Sequence, residues 1–83
     1  MQVLYFAWVR ERTGKMSEQI ELTGDVETVA DLIDMLKTRG EEYEHAFADL
    51  SAIRAAVDQE HCPLDASVKD AREVAFFPPV TGG

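Results

Sequence analysis

One helical stripe set between two strand-like apolar runs is the feature that most limits what this chain can fold into. Val29, Leu32, Ile33 and Leu36 fall at i, i+3, i+4 and i+7, which puts four apolar side chains on one helix face. Val3–Val9 and Glu73–Phe77 are instead rich in aromatic and β-branched residues and read as strands. With 83 residues there is one domain and one core. Such a domain buries only about 60–65% of the surface its unfolded chain exposes, too little to enclose a conventional active site. A carrier, subunit or binding module is expected.

The rest of the chain fills in around that helix. Thr28 with Asp31 forms a capping-box pattern, Lys37 and Arg39 sit where a last turn favours cations, and Gly40 is placed for a left-handed C-terminal cap. Tyr43, Ala46, Phe47 and Leu50 predict a second, short helix. Arg10–Lys15 reads as a hairpin connection, Ser17–Leu22 as a half-buried strand and Thr23-Gly24-Asp25 as a turn. Ile53, Ala55 and Val57 alternate as a third strand. Asp58-Gln59-Glu60 then turns, and a short strand through His61 and Cys62 precedes Pro63. Leu64 and Val68 would tuck under a loop. The expected order is β-β-α-(short helix)-β-β-β, an α+β fold with a mixed sheet packed on one main helix. Residues 1–77 form the domain and 78–83 an extended tail.

Sixteen acids against eight bases give a formal charge of −8. Phosphate-backbone recognition needs a basic face, so nucleic acid is not an expected partner. The excess acid fits steering toward basic protein surfaces and fits a merely solvated surface equally well. No apolar stretch approaches the roughly 20 residues of a membrane helix, and the N-terminus lacks a basic segment and a cleavage site. A cytoplasmic protein that binds no membrane is the expectation. Cys62 is the one cysteine, which excludes an internal disulfide. Together with His45 and His61 it has no metal-ligand spacing, so no metal site is expected and Cys62 reads as a small half-buried apolar residue.

Side chains alternate sides along a strand. On Val3–Val9 one face carries Val3, Tyr5, Ala7 and Val9, and the other Leu4, Phe6 and Trp8. The last strand likewise has Val74 and Phe76 on one side and Ala75 and Phe77 on the other. One helix covers one face. The second face, with Phe6, Trp8 and Phe77, is either a protein interface or is covered by loops and the short helix. On the interface reading, Phe6 and Phe77 are the preferred anchors.

The chain ends Phe77-Pro78-Pro79-Val80-Thr81-Gly82-Gly83. A terminal Gly-Gly is common and is compatible with a frayed end. The preceding strand and Pro78-Pro79 point to another use. Pro78 and Pro79 stop the strand and limit the directions the tail can take. Six extended residues, 78–83, span about 20 Å. Gly82 and Gly83 have no Cβ, so they fit a narrow channel and leave the terminal carbonyl open to attack. A carboxylate becomes electrophilic once adenylated, and a sulfur nucleophile can then displace AMP. The chain has no phosphate-binding loop and no Ser-His-Asp or Cys-His signature, so activation would be borrowed from another enzyme.

The run Val74-Ala75-Phe76-Phe77-Pro78-Pro79-Val80-Thr81-Gly82-Gly83 resembles the small-subunit family of molybdopterin synthase, a branch of the ubiquitin-like sulfur carriers. Val3–Arg10 running into Glu11, the helix opening at Thr28-Val29, and Ala55-Ala56-Val57-Asp58-Gln59 extend the resemblance over nearly the whole chain. It implies a β-grasp fold with Val80, Thr81 and Gly82 threaded and Gly83 as the reacting terminus. It implies an E1-like adenylating enzyme that uses ATP, a glycyl-adenylate, a sulfur donor protein and a thiocarboxylate. It further implies a large synthase subunit, in a heterotetramer, that receives the tail and supplies the catalytic machinery. Sulfur would pass there to cyclic pyranopterin monophosphate for molybdenum cofactor biosynthesis. Related carriers serve thiamine synthesis or tRNA thiolation, or modify proteins, and these stand as alternatives. The resemblance also implies a partner interface through Phe6 and Phe77, with His61 where the family carries a hydrophobe. Two further departures stand at Asp58, where the family often has Asn, and at Ala71, where the turn often has Gly.

Overall fold

The computed structural model describes residues 1–79. Strand β1 (Gln2–Tyr5) leads through Phe6 into helix α1 (Ala7–Thr13), and β2 (Ser17–Gln19) returns beside β1. Helices α2 (Val29–Lys37) and α3 (Glu41–Ala46) follow, then a 3-10 turn at Leu50–Ala52. Strands β3 (Arg54–Val57), β4 (Glu60–Cys62) and β5 (Glu73–Phe77) complete the sheet, in the order β2-β1-β5-β3-β4. β1 and β5 run parallel at the centre, and every other pairing is antiparallel. This is an α+β, β-grasp arrangement. The core holds Val3, Tyr5, Val74, Phe76 and Ala55 from the sheet against Val29, Leu32, Ile33 and Leu36 of α2.

Local chemistry explains where the elements start and stop. Thr28 Oγ1 accepts the Asp31 N–H, and Asp31 Oδ2 accepts the Thr28 N–H, each at 3.1 Å, so the capping box forms as expected. Asp58 and Gln59, at φ 48° and 72°, make the two-residue β3–β4 hairpin turn. Asp58 Oδ1 then accepts the N–H groups of Arg72 and Glu73 at 2.8 and 3.0 Å, which fixes the entry to β5. In the turn before β5 the left-handed residue is Asp70, φ 62°, so Ala71 is spared that conformation.

Four expectations are corrected. The first strand ends at Tyr5. Ala7, at φ 52°, breaks it, and Ala7–Thr13 is a helix where the sequence suggested a continued strand and a hairpin connection. Val9 and Thr13 are its buried i, i+4 pair, and Gly14, at φ 77°, caps it with its N–H on the Arg10 carbonyl. The second strand stops at Gln19, short of Leu22. Gly40 is extended and opens α3, while α2 closes at Thr38 through a tight turn on the Met35 and Leu36 carbonyls. Leu50 belongs to the 3-10 turn and not to α3, which ends at Ala46.

Candidate functional site: the open sheet face and the tail root

The last strand is gripped from both flanks. Phe76 is fully buried, with the Tyr5 ring stacked at 6.4 Å and the Phe47 ring edge-on at 5.0 Å. β5 has a strand on each side, so its ladder is satisfied up to Phe77. Pro78 and Pro79 follow outside any strand and are half-buried. A proline pair has no N–H to extend a ladder, so the chain leaves the sheet here.

The helices pack on one side of the sheet. The other side carries the row Leu4, Ala75, Ala56, His61, read across four strands in register. Ala56 and Ala75 lie outside the core cluster and make a floor of methyl groups between larger side chains. Phe77, half-buried, stands at the tail end of this floor. His61 is exposed, and its ring centroid is 5.0 Å from that of Phe77. Phe6 is 49% exposed beside the same strand end, and its N–H donates to the Phe76 carbonyl at 3.0 Å. Alternation along β1 and β5 places Arg54, paired with Phe77, and Glu73, paired with Gln2, at opposite ends of this face.

The candidate residues therefore separate. Phe6, His61 and Phe77 gather around the root of the tail. Trp8 does not join them: it lies on α1, half-buried against the core, with the Arg12 guanidinium 4.4 Å above its ring. The alternation that grouped it with Phe6 ends at Tyr5. Ala56 was not singled out in the sequence, and only the register places it in the floor. Val80, Thr81, Gly82 and Gly83 lie outside the described residues. No group of three or more His, Cys, Asp or Glu among the described residues is placed to hold a metal ion. Cys62 points back toward the core, its Sγ 3.8 Å from the Ala55 carbonyl. No helix among the described residues is long and apolar enough to cross a membrane.

This face offers shape and apolar contact rather than acid–base chemistry.

Comparison with known proteins agrees in sequence and in fold. The model of the ThiS family matches residues 3–83. The molybdopterin synthase sulfur carrier subunit of Escherichia coli is 39% identical over 83 residues, covering all of this chain and 99% of that protein. Its counterpart in Haemophilus influenzae is 36% identical with the same coverage. Among solved structures, small archaeal modifier protein 1 of Haloferax volcanii matches with a TM-score of 0.74 at 29% identity, over 96% of this chain and 97% of that one. The chain belongs to the ThiS family and, within it, to the molybdopterin synthase sulfur carrier subunits.

Proposed function

We propose that this chain is the small, sulfur-carrying subunit of a molybdopterin synthase and that its reacting group is the carboxylate of Gly83. That carboxylate attacks the α-phosphate of ATP on an E1-like adenylating enzyme, giving a glycyl-adenylate and releasing pyrophosphate. A sulfide-level sulfur nucleophile delivered by a donor protein attacks the glycyl carbonyl, the acyl–phosphate bond breaks, AMP leaves, and a thiocarboxylate remains. The large subunit binds the open sheet face through Phe6, Phe77 and His61 and takes Val80–Gly83 into its own active site, within a heterotetramer. Sulfur then passes to cyclic pyranopterin monophosphate. The carrier supplies no catalytic side chain, and the work takes place in the cytoplasm.

The observation that carries this reading is the pairing of a clamped strand with an apolar face at one place. Phe76 is fixed by Tyr5 and Phe47, Phe77 stands half-buried at the end of the open face, and Pro78-Pro79 end the strand ladder at the same place. Full-length identity to subunits of this name supports the choice of pathway. Reconstitution with the large subunit tests it. Wild type should support molybdopterin formation and a Gly83 deletion should not; activity in the deletion variant would overturn the reading.

A second reading, conjugation of Gly83 to lysines of other proteins, is favoured by the likeness to small archaeal modifier protein 1. It predicts isopeptide-linked adducts in the native host that vanish with the Gly83 deletion.

A further inference from the structure

We propose that Ala7 is a positioning residue for sulfur transfer: its left-handed backbone turns β1 out of the sheet at the level where the tail begins, and so clears one flank of the tail for the partner that encloses it. The inference rests on the reading above, that partner enzymes take the tail into their active sites.

Ala7 has φ 52°, a conformation that residues with a Cβ rarely adopt. It is exposed and outside the core cluster, so core packing does not demand that strain. Strained residues persist where the surrounding structure has a use for them. The use here follows from the register. β1 and β5 are parallel, with Tyr5 level with Phe76. A β1 that ran on would place Ala7 beside Pro78 and Trp8 beside Pro79. Phe6 is still extended, so the turn is made at Ala7, and α1 begins there instead.

The hydrogen bonds follow the same break. Phe6 N–H donates to the Phe76 carbonyl at 3.0 Å and continues the parallel ladder. In such a ladder the Phe6 carbonyl would next accept from the N–H of residue 78. Pro78 has no N–H. The carbonyl instead accepts the N–H groups of Val9 and Arg10 at 3.1 and 3.3 Å, which close the first turn of α1. On the other flank Arg54 is the first residue of β3 and pairs with Phe77. Ile53, level with Pro78, spends its N–H on the Leu50 carbonyl at 3.2 Å. Both neighbours of β5 thus leave the ladder where the prolines begin. A 3-10 turn does this on the β3 side, and Ala7 does it on the β1 side.

Two substitutions separate backbone conformation from side chain. Ala7→Gly keeps the left-handed turn and removes its strain. Ala7→Val favours an extended residue 7, and exposure leaves room for the larger side chain. Full-length carriers are reconstituted with the adenylating enzyme and, once thiocarboxylated, with the large subunit, each enzyme at saturating concentration. Ala7→Val should slow single-turnover adenylation and sulfur transfer about tenfold, as misplacement of a reacting group does. Ala7→Gly should match wild type. Thr28→Ala weakens the cap of α2 and should also keep the wild-type rates, with urea midpoints showing that every variant is folded. Wild-type rates in Ala7→Val overturn the proposal. So does equal loss in Ala7→Gly, which would assign the effect to the methyl group, or equal loss in Thr28→Ala, which would assign it to stability. If wild type itself is neither adenylated nor able to pass on sulfur, the functional reading fails, and this inference with it.

Discussion

The hydroxyl of Tyr43 donates to Glu18 Oε2 at 2.7 Å, and this bond ties helix α3 to the edge strand β2. Tyr5 Oη donates to the same oxygen at 2.8 Å, and Arg39 Nη2 reaches Oε1 at 3.4 Å. Lys15 Nζ in turn donates to Tyr43 Oη at 2.6 Å. No buried side-chain nitrogen or oxygen among the described residues lacks a partner. β2 pairs with β1 through only three residues, and the Glu18 carboxylate adds side-chain bonds to that short ladder. Because Tyr5 also stacks on Phe76, the network reaches the strand that carries the tail.

Removing the acceptor should be expensive. Glu18→Ala leaves two phenols without their shared partner and is expected to cost about 2–4 kcal/mol. Tyr43→Phe removes one donor and should cost about 1 kcal/mol. Urea unfolding checks both, and a loss below about 0.5 kcal/mol for Glu18→Ala would mean that the network is not stabilising.

The same network sets the alkaline limit. Burial, followed by the bond to Glu18, holds the Tyr5 phenol far above its ordinary range. The folded value lies above the unfolded one, so this contribution is complete below about pH 10 and is lost as pH rises toward the folded value. Lys15, raised by its bond to Tyr43, acts in the same direction. Unfolding midpoints should fall above about pH 10. Tyr5→Phe should show a shallower fall than wild type.

At the acid end, the start of α2 matters. The backbone N–H groups of Glu27 and Thr28 hold the Asp31 carboxyl below its ordinary range. Its contribution is present above the unfolded value, near pH 4, and is lost as pH falls through the folded one. Asp31→Asn should therefore flatten the acid limb of the stability profile. Thr28→Ala should cost about 1 kcal/mol near neutral pH.

The proposed docking face can be broken without breaking the fold. Phe77 is half-buried and outside the core cluster. Phe77→Asp is expected to weaken large-subunit binding by about 30-fold or more, as loss of an aromatic anchor does. It should impair adenylation less. Equal loss in both assays, with the urea midpoint unchanged, would show that both enzymes grip this residue alike.

Much of this was legible from residue order. The stripe Val29, Leu32, Ile33, Leu36, the Thr28–Asp31 cap and the strand Glu73–Phe77 all stand where the pattern put them. Helix α1 was hidden because Val3–Val9 is apolar throughout, and a continuous apolar run does not distinguish a strand from a short helix. Gly14 read as a hairpin glycine when it is a helix cap. Trp8 was misplaced as a result. The pairing of His61 with Phe77 comes from strand register, which is a property of the folded sheet: the residues are 16 apart in sequence and on non-adjacent strands. Glu18 looked like one acid among many, because nothing local shows that two tyrosines from distant segments converge on it.

Sulfur at Gly83 would show in the intact mass of the carrier. The protein would be purified from its native host and, in parallel, incubated with ATP, its adenylating enzyme and a sulfur donor. The expected species is heavier by the replacement of one carboxylate oxygen with sulfur, located at Gly83 by fragmentation and absent when ATP is omitted. A carrier that keeps an unmodified Gly83 in the host and in the complete reaction, with the adenylating enzyme demonstrably active, would contradict it.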